Sequence, residues 1–333
     1  MKRAFFSLFL CFVFLFFSII PAFGAPYYQG KTITIIVGFS PGGGYDRLSR
    51  VLARHLPKYI PGRPTIIVQN MPGASSILAT NYVYNIAKPD GLTLCNFERG
   101  IPLVQLMKVE GVKFDLRRFA WIGSMAKEST ILALRTDLPF KNFQDVLNSP
   151  TPIILGRTGP GDNTAQMMFL LQEFAGLKVK FISYPSSPEI MLAIERKEID
   201  GRGGSYSALK PDIERGLVKP FIRSRVSEPG IEHLPVDEDQ VKSEKAKTLM
   251  ALRSSAEEVG RPYVAPPGTP ESVMKILRMA FAKVAEDPAL KEEVNKLRMR
   301  VEYSDEKKCL KVINFVLNQP EEMAKEFAKY AKF

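Results

Sequence analysis

The chain has 333 residues, of which 45% are hydrophobic, 24% charged and 10% aromatic, and this ordinary globular composition excludes disordered, collagen-like and coiled-coil proteins. Its length suggests about two domains at roughly 100 to 200 residues each. The formal net charge is +11, but no block of five or six basic residues concentrates it, so nucleic-acid binding is not expected.

The first 24 residues have the pattern of a secretory signal peptide. Two basic residues precede an apolar stretch from residue 4 to residue 20, and Ala22-Phe23-Gly24 supplies a small-x-small cleavage site before Ala25. An uncleaved anchor is the alternative, because the apolar stretch is close to the minimum for a membrane span. No later window is long and apolar enough to cross a membrane. We therefore expect residues 25–333 to be exported and soluble.

Strands and helices alternate along the rest of the chain. The β-branched segment 32–38 predicts a buried strand, a glycine turn follows at 42–44, and apolar residues at helical spacing predict a helix over 45–59. Further strands are predicted at 65–69, 92–96, 131–134, 153–155, 179–183 and 261–265, and further helices at 75–86, 143–147, 164–174 and 188–197. A helix-rich tail follows, with Thr269 as N-cap and Pro270 as the first helical residue. This alternation of strands and helices indicates largely parallel, helix-covered sheets.

Two glycine-rich loops follow strands and precede helices, at 42–44 and at 159–164. Ligands of open parallel sheets bind beyond the carboxyl ends of the strands, where helix N-termini present free N–H groups. Glycine has no Cβ, so its backbone approaches an anion closely. Most such turns merely satisfy backbone geometry, but a pair of them suggests a clamp on an anionic ligand.

Motifs for catalysis, nucleotides and metals are missing from the sequence. Neither glycine loop fits a P-loop or a dinucleotide fingerprint, and no nucleophile elbow or H-E-x-x-H motif is present. His55 and His233 are the only histidines, and Glu257-Glu258 lies on a polar helix that suggests a solvated face. Outside the leader only Cys95 and Cys309 remain, and whether they pair is open. We expect no enzyme, cofactor or metal site; an exported α/β hydrolase or isomerase is the minor alternative.

Several segments together point to a known family. The runs 33–46, 68–74, 88–94, 195–201 and 261–270 occur in order after the leader. In this arrangement the chain resembles the substrate-binding proteins of tripartite tricarboxylate transporters, also called the Bug family. The resemblance spans essentially all of residues 25–333.

The resemblance implies an α/β, two-lobed type II periplasmic-binding-protein fold of the Venus flytrap kind. Lobe one would comprise 25–125 plus 227–333 and lobe two 126–226, with two chain crossings as the hinge. The implied function is capture of a small organic carboxylate in the periplasm and delivery to membrane permease subunits. We expect a monomer, although the sequence leaves the oligomeric state open. A receptor that reports its ligand to a two-component sensor kinase is the alternative. The ligand itself is not identified by the sequence.

The resemblance also implies ligand-binding residues in both glycine loops. In the family these loops hold a ligand carboxylate largely through backbone N–H groups and ordered waters. The corresponding residues of this chain are Gly42, Gly43, Gly44, Tyr45 and Asp46 in the first loop and Gly159, Gly161, Asp162, Asn163 and Thr164 in the second. The second loop departs from the family pattern, which often has Ser or Thr and then His-Leu where this chain has residues 162–166. Asp162 would repel an anion unless it, or Asn163, caps the helix.

Further candidate contacts lie near strand ends. Arg99 follows the strand over 92–96 and could offer a bidentate fork to a carboxylate, although a solvated Glu98–Arg99 pair fits equally well. Arg202 and Ser205 follow Ile199-Asp200 at another expected strand end. Tyr184 ends the strand over 179–183, whereas Ser186 with Glu189 is typical of a capping box.

Overall fold

The computed structural model describes residues 25–159 and 162–330. The predicted signal peptide, residues 1–24, lies outside the described part of the chain, as does Gly161. The strands are β1 (Thr32–Val37), β2 (Thr65–Asn70), β3 (Thr93–Asn96), β4 (Ala120–Ser124), β5 (Thr130–Arg135), β6 (Ile153–Arg157), β7 (Val179–Ser183), β8 (Gly201–Ser205), β9 (Val218–Arg223), β10 (Pro262–Ala265) and β11 (Ser304–Asp305). They form two separate sheets.

Helices connect and cover the strands. They are α1 (Gly44–His55), α2 (Ile77–Asn85), α3 (Ile101–Leu106), α4 (Phe143–Leu147), α5 (Asn163–Ala175), α6 (Ser187–Glu195), α7 (Tyr206–Glu214), α8 (Glu244–Ser255), α9 (Glu271–Ala285), α10 (Pro288–Lys296), α11 (Glu306–Leu317) and α12 (Glu321–Tyr330). Among the described residues, no helix combines the length and apolar character that a membrane crossing requires.

The first sheet has the strand order β11-β4-β10-β3-β1-β2. Its βαβαβ start is confirmed: β1 pairs in parallel with β2 and β3, so that Ile35 lies beside Val68 and Leu94. Strand β10 returns from far along the chain and pairs antiparallel with β3 and β4. Buried apolar clusters cover this sheet on both faces, as a helix-covered, largely parallel sheet requires.

The second sheet has the order β7-β6-β8-β5-β9. Residues 202–205, which we predicted to follow a strand, instead form most of β8. The glycines of this segment explain why the strand was not predicted, because glycine has a low β propensity. In the structure, however, close neighbours leave no room for a Cβ at two of these positions. A Cβ on Gly201 would lie 2.2 Å from the carbonyl oxygen of Ala133, and one on Gly203 would lie 2.9 Å from Cβ of Thr164 at the start of α5.

One predicted helix start is wrong. Helix α9 begins at Glu271, and its N-cap is Pro270, whose backbone is still extended (φ −57°, ψ 137°). The hydroxyl of Thr269 donates to the carbonyl of Pro266 at 2.8 Å instead of capping the helix. The helix therefore begins one residue later than predicted.

Two antiparallel segments carry the chain between the sheets. Met125 N–H donates to the carbonyl of Arg261 at 3.0 Å, and Gly260 N–H donates to that of Ala126 at 2.9 Å. Helices α8 and α12 pack against α5 of the second sheet, although both follow residue 227. The lobe boundaries drawn from the sequence stay a prediction.

Candidate functional site

A cavity of about 280 Å³ lies between the two sheets. Residues that we predicted as ligand contacts and that line it are Gly42, Gly43, Gly44, Tyr45, Arg99, Asp162, Thr164, Arg202 and Ser205. Four further predicted contacts, Asp46, Gly159, Asn163 and Tyr184, are absent from the lining. The sequence reasoning missed Arg47, Glu98, Asp212 and Arg261, which also line the cavity.

The first glycine loop leaves the N-terminus of α1 without a side-chain cap. Gly43 is the N-cap residue, and among the described residues neither its N–H nor that of Gly44 has a hydrogen-bond partner. Gly42, in contrast, donates its N–H to Asp46 at 2.9 Å. The amides that face the cavity are therefore those of Gly43 and Gly44, which carry the positive end of the helix dipole.

Asp46 stabilises this loop from the side away from the cavity, by accepting the Gly42 N–H. Its buried carboxylate also accepts from Arg50 Nε at 3.0 Å and from Asn70 Nδ2 at 2.9 Å. Although burial opposes ionisation, these bonds and that of the Gly42 N–H hold the pKa of Asp46 below its ordinary value. Asp46 thus has a structural role in the first loop, and its predicted contact with the ligand stays a prediction.

Arg261 lies at the end of the second crossing segment, directly beside the first loop. Its side chain is 1% exposed, and its Nε donates to Glu128 Oε1 at 2.9 Å. The guanidinium stacks 4.1 Å from the centroid of the Tyr45 ring. A Cβ on Gly44 would lie 2.7 Å from Arg261 Nη2, so a side chain there would displace the guanidinium. Nη2 itself is buried and has no hydrogen-bond partner within residues 25–159 and 162–330.

Arg99 joins the two sheets across the cavity. Its Nη1 donates to Ser205 Oγ at 2.7 Å, and its Nη2 donates to Thr130 Oγ1 at 3.0 Å. Arg99 is 2% exposed and Glu98 4% exposed, so the alternative of a solvated Glu98–Arg99 pair is wrong. Burial raises the pKa of Glu98 to about 8, even though the charge of Arg99 opposes the shift. Glu98 is consequently mostly uncharged at neutral pH.

Arg47 and Arg202 complete a set of four guanidinium groups. In the described part of the chain, Arg202 donates to two neutral carbonyls, that of Gly203 at 2.8 Å and that of Ser187 at 3.3 Å. Arg47, on α1, donates to the carbonyl of Ala208 on α7 at 3.3 Å. Burial lowers the pKa of both, and for Arg47 the nearby charge of Arg261 adds to the effect.

Only one of these four cations has an ion-pair partner. Arg261 pairs with Glu128, whereas within the described part of the chain Arg47, Arg99 and Arg202 form no ion pair with a carboxylate. Placing unpaired charges in a protein interior costs several kcal/mol per group unless another charge compensates them. The cavity is therefore built to receive negative charge.

The second glycine loop is arranged differently from the first. Asp162 is the N-cap of α5, and its two carboxylate oxygens accept from the N–H groups of Thr164 and Thr158, each at 3.0 Å. The interpretation of Asp162 as a helix cap is confirmed. The side chain of Asn163 turns away from the cavity and accepts from Arg253 Nη1 at 3.1 Å.

A buried polar network lies behind Arg99. The hydroxyl of Thr130 donates to Glu257, and Arg253 pairs with Glu257 at 2.8 Å and with Asp237 at 2.9 Å. Our expectation that Glu257 is solvated is wrong, because its side chain is fully buried. Burial raises the pKa of Asp237 to about 6. The helical pattern did not reveal the burial, since Glu257 lies at a helix end that packs against the crossing segment.

The other two predicted non-lining residues have packing roles. Tyr184 is half-buried against the apolar cluster around Ile190. Gly159 accepts from Asp162 N–H at 3.2 Å, and a Cβ on it would lie 3.2 Å from Ser75 Oγ of the facing lobe. Cys95 and Cys309 are both free and buried. No cluster of three or more potential metal ligands occurs in residues 25–159 or 162–330.

Known proteins resemble this chain in both sequence and fold. A family model described as the tripartite tricarboxylate transporter family receptor matches residues 48–328. A UPF0065 protein of Bordetella pertussis is 26% identical over 270 residues, which are 80% of each chain. The protein BugT of the same species is 25% identical over 278 residues, covering 80% of this chain and 79% of its own.

Solved structures show the same fold at lower sequence identity. The periplasmic binding protein BugD is 21% identical with a TM-score of 0.76, over 91% of this chain and 98% of its own. MatC of Rhodopseudomonas palustris with bound malate is 19% identical with a TM-score of 0.70, over 91% and 99%. An R. palustris protein with adipate is 18% identical with a TM-score of 0.74, over 91% and 98%. The predicted two-lobed α/β fold is confirmed.

Proposed function

Because the chain belongs to the tripartite tricarboxylate transporter receptor family, we propose that it captures a small organic carboxylate between its lobes and delivers it to the membrane permease of such a transporter. The family and the structural neighbours are substrate-binding proteins of the periplasm and not enzymes. The proposed location requires export by residues 1–24 and removal of that leader.

The observation that carries the proposal is a set of buried or half-buried guanidinium groups in the inter-sheet cavity that have no ion-pair partner among the described residues. A carboxylate offers planar, bidentate acceptors that match a guanidinium fork. Entry of an anionic ligand would compensate Arg47, Arg99 and Arg202, which lack carboxylate partners in the described part of the protein. A sugar or an amine would leave those guanidinium groups without an ion-pair partner.

Neighbouring structures support a small carboxylate as the ligand. Their bound ligands are malate in one case and adipate in another. A volume of about 280 Å³ lies at the small end of ligand pockets, which typically measure about 300–1,000 Å³.

Capture is proposed to work by closure of the lobes. The cavity walls come from both sheets, and Arg99 already bonds from one to the other. A ligand shifts an open–closed equilibrium only by the difference between its affinities for the two states. Hydrogen-bond donors from both walls contact one ligand only when the lobes are closed. The permease would then recognise this closed form.

The experiment is a thermal-shift screen of residues 25–333 against small carboxylates, with sugars and amines as controls. A ligand that binds only the native state stabilises it by about 2.7 kcal/mol at a hundred times its dissociation constant. We expect shifts from carboxylates alone. Shifts from sugars or amines alone would overturn the proposed ligand class. Uptake of the hit by cells with and without the chain then tests delivery.

A further inference from the structure

Two open depressions lie side by side on the surface, next to the ligand cavity. Their volumes are about 520 Å³ and about 310 Å³, and Glu214 and Arg298 line both. One side of the pair comes from α7, whose Tyr206 packs in an apolar cluster of the second sheet. The other comes from residues 295–300, whose Met299 packs in an apolar cluster of the first sheet. The two depressions form one inter-lobe crevice, which needs both halves of the molecule to be complete.

The lining of the inter-lobe crevice is strongly basic. Burial and the nearby charge of Glu128 raise the pKa of Glu228, one of its two carboxyl groups, above the ordinary value. Glu214 therefore supplies most of the negative charge of the lining. The cations that line the crevice, among the described residues, are Arg47, Lys210, Arg215, Lys296, Arg298 and Arg300.

Half of these cations lack a carboxylate partner. Arg298 Nε donates to Glu214 at 2.7 Å and so links the two sides of the crevice. Arg215 and Lys296 pair with carboxylates that lie three or four residues earlier in the chain. The lining cations that form no ion pair within residues 25–159 and 162–330 are Arg47, Lys210 and Arg300. The crevice thus has positive charge available for an external partner.

The shape of the crevice favours a protein segment over a small ion or a membrane. Among the described residues, no side-chain nitrogen of Lys210, Arg298 or Arg300 is buried without a partner, as a closed site for a small ion would show. Lys210 is half-buried, with its ammonium 5.7 Å from the centroid of the Tyr206 ring. A flat bilayer does not reach a cation recessed in this way, whereas an acidic peptide segment can enter the crevice and contact both sides.

We infer that the inter-lobe crevice is a docking surface for a partner protein, which places a segment rich in Asp or Glu between α7 and residues 295–300. The inference rests on the proposed function, which makes this partner the membrane permease. Because each half of the molecule supplies one side, the docking surface is complete only when the lobes are closed. The partner therefore distinguishes the closed form from the open one by binding across both halves.

Uptake by cells that carry a charge-reversed variant tests the inference. Lys210→Glu with Arg300→Glu reverses two unpaired cations, neither of which lines the ligand cavity. Calorimetry should therefore give a ligand affinity within about twofold of wild type. Uptake of the carboxylate found in the thermal-shift screen should fall at least about tenfold at saturating concentration, because like charges repel an acidic segment. Uptake at the wild-type rate would overturn the inference.

The matched control is Arg118→Glu with Lys275→Glu, which changes the net charge of the protein by the same amount. Both residues are exposed, lie outside the crevice and form no ion pair in the described part of the chain. Uptake should stay near the wild-type rate. An equal loss in this control would assign the effect to net charge and contradict a specific docking surface.

Two further measurements distinguish docking from other uses of a basic surface. A crevice that only attracts the anionic ligand would slow its association in stopped-flow experiments and lower uptake at limiting but not at saturating ligand. Sedimentation with phosphatidylglycerol vesicles, if it occurred for the wild type and not for the charge-reversed variant, would identify a membrane as the partner. Either result would overturn docking onto an acidic protein segment.

Folding of the variants is checked by circular dichroism and melting curves. Should the charge reversal fail to fold, Lys210→Gln with Arg300→Gln removes the same two charges and should lower uptake by about threefold. Uptake that depends on the chain but not on the crevice overturns this inference and leaves the proposed function standing. Equal uptake by cells with and without the chain would overturn the proposed delivery as well.

Discussion

The two glycine loops occupy equivalent places in the two halves of the molecule but present opposite electrostatic faces. The first ends in Gly43, which caps α1 without a side chain, and the amides of Gly43 and Gly44 beside Arg261 have no partner among the described residues. The second ends in Asp162, whose carboxylate already satisfies the N–H groups of Thr158 and Thr164. A helix N-terminus attracts an anion only while its amides remain available. On the second wall, the group available to an anion is therefore the side chain of Arg202 and not the amides of the loop.

The largest expected effect comes from filling the first loop. Gly43 has φ −75° and ψ 171°, which any residue adopts, and a Cβ there meets no atom of the described residues within 4 Å. Gly43→Val should keep stability within about 1 kcal/mol but weaken carboxylate binding by more than about tenfold, because its branches cover the free amides. Calorimetry and melting curves measure the two quantities, and Gly43→Ala should give a smaller loss. Unchanged affinity in a folded valine variant would refute the role of this loop.

The pH dependence of binding tests the charge balance of the cavity wall, to which Glu98 contributes. Glu98 is protonated below its pKa of about 8 and gains a negative charge above it. A bound anion raises that pKa further, so binding takes up a proton and weakens as the pH rises. Affinity should be nearly constant below about pH 7 and fall by about tenfold by about pH 9.

The control for this prediction is Glu98→Gln, which has no charge to gain. Its affinity should stay flat over the same range, as calorimetry in several buffers would show. An unchanged pH profile in Glu98→Gln would assign the titration to another group.

A matched pair of variants sharpens the contrast between the two aspartates. Asp162→Asn removes a negative charge from the cavity wall while asparagine still caps a helix, so anion affinity should rise about threefold at a stability cost of about 1 kcal/mol. Asp46→Asn keeps one acceptor oxygen but loses the second and the negative charge that Arg50 pairs with, so it weakens the support of the first loop and should lower affinity instead. Affinity and urea unfolding are measured for both. The same sign of change in the two variants would contradict the assigned roles.

The smallest expected effect concerns the bond between the walls. Ser205→Ala removes the acceptor of Arg99 Nη1, which lies 2.7 Å away. A bond to a charged group contributes about 1.5–3 kcal/mol, and we expect the free energy of unfolding to fall by the lower part of that range. Affinity should fall about twofold, since fewer contacts favour the closed form. Urea titration measures the first quantity, and Ser205→Thr, which keeps the hydroxyl, should restore it.

Sequence alone determined the local architecture. The β-branched run of β1, the glycine turn after it and the apolar period of α1 are short-range patterns, and each predicted its element to within a few residues. The first glycine loop was found for the same reason, because strand, glycine and helix follow one another directly. The family was likewise readable from ordered segments, and residues 48–328 match it.

Only the tertiary structure decided which side chains meet. Arg47, Arg202 and Arg261 lie far apart in the sequence, and Arg261 enters the cavity only because β10 returns antiparallel beside β3. The burial of Glu257 and the capping role of Asp162 likewise depend on what packs around them. The periodicity of apolar residues indicates which face of a helix or strand is buried, but not which residues pack against it. The sequence also does not distinguish a solvated charged residue from a buried one that lacks an ion-pair partner. The charge of this binding site is therefore a property of the fold.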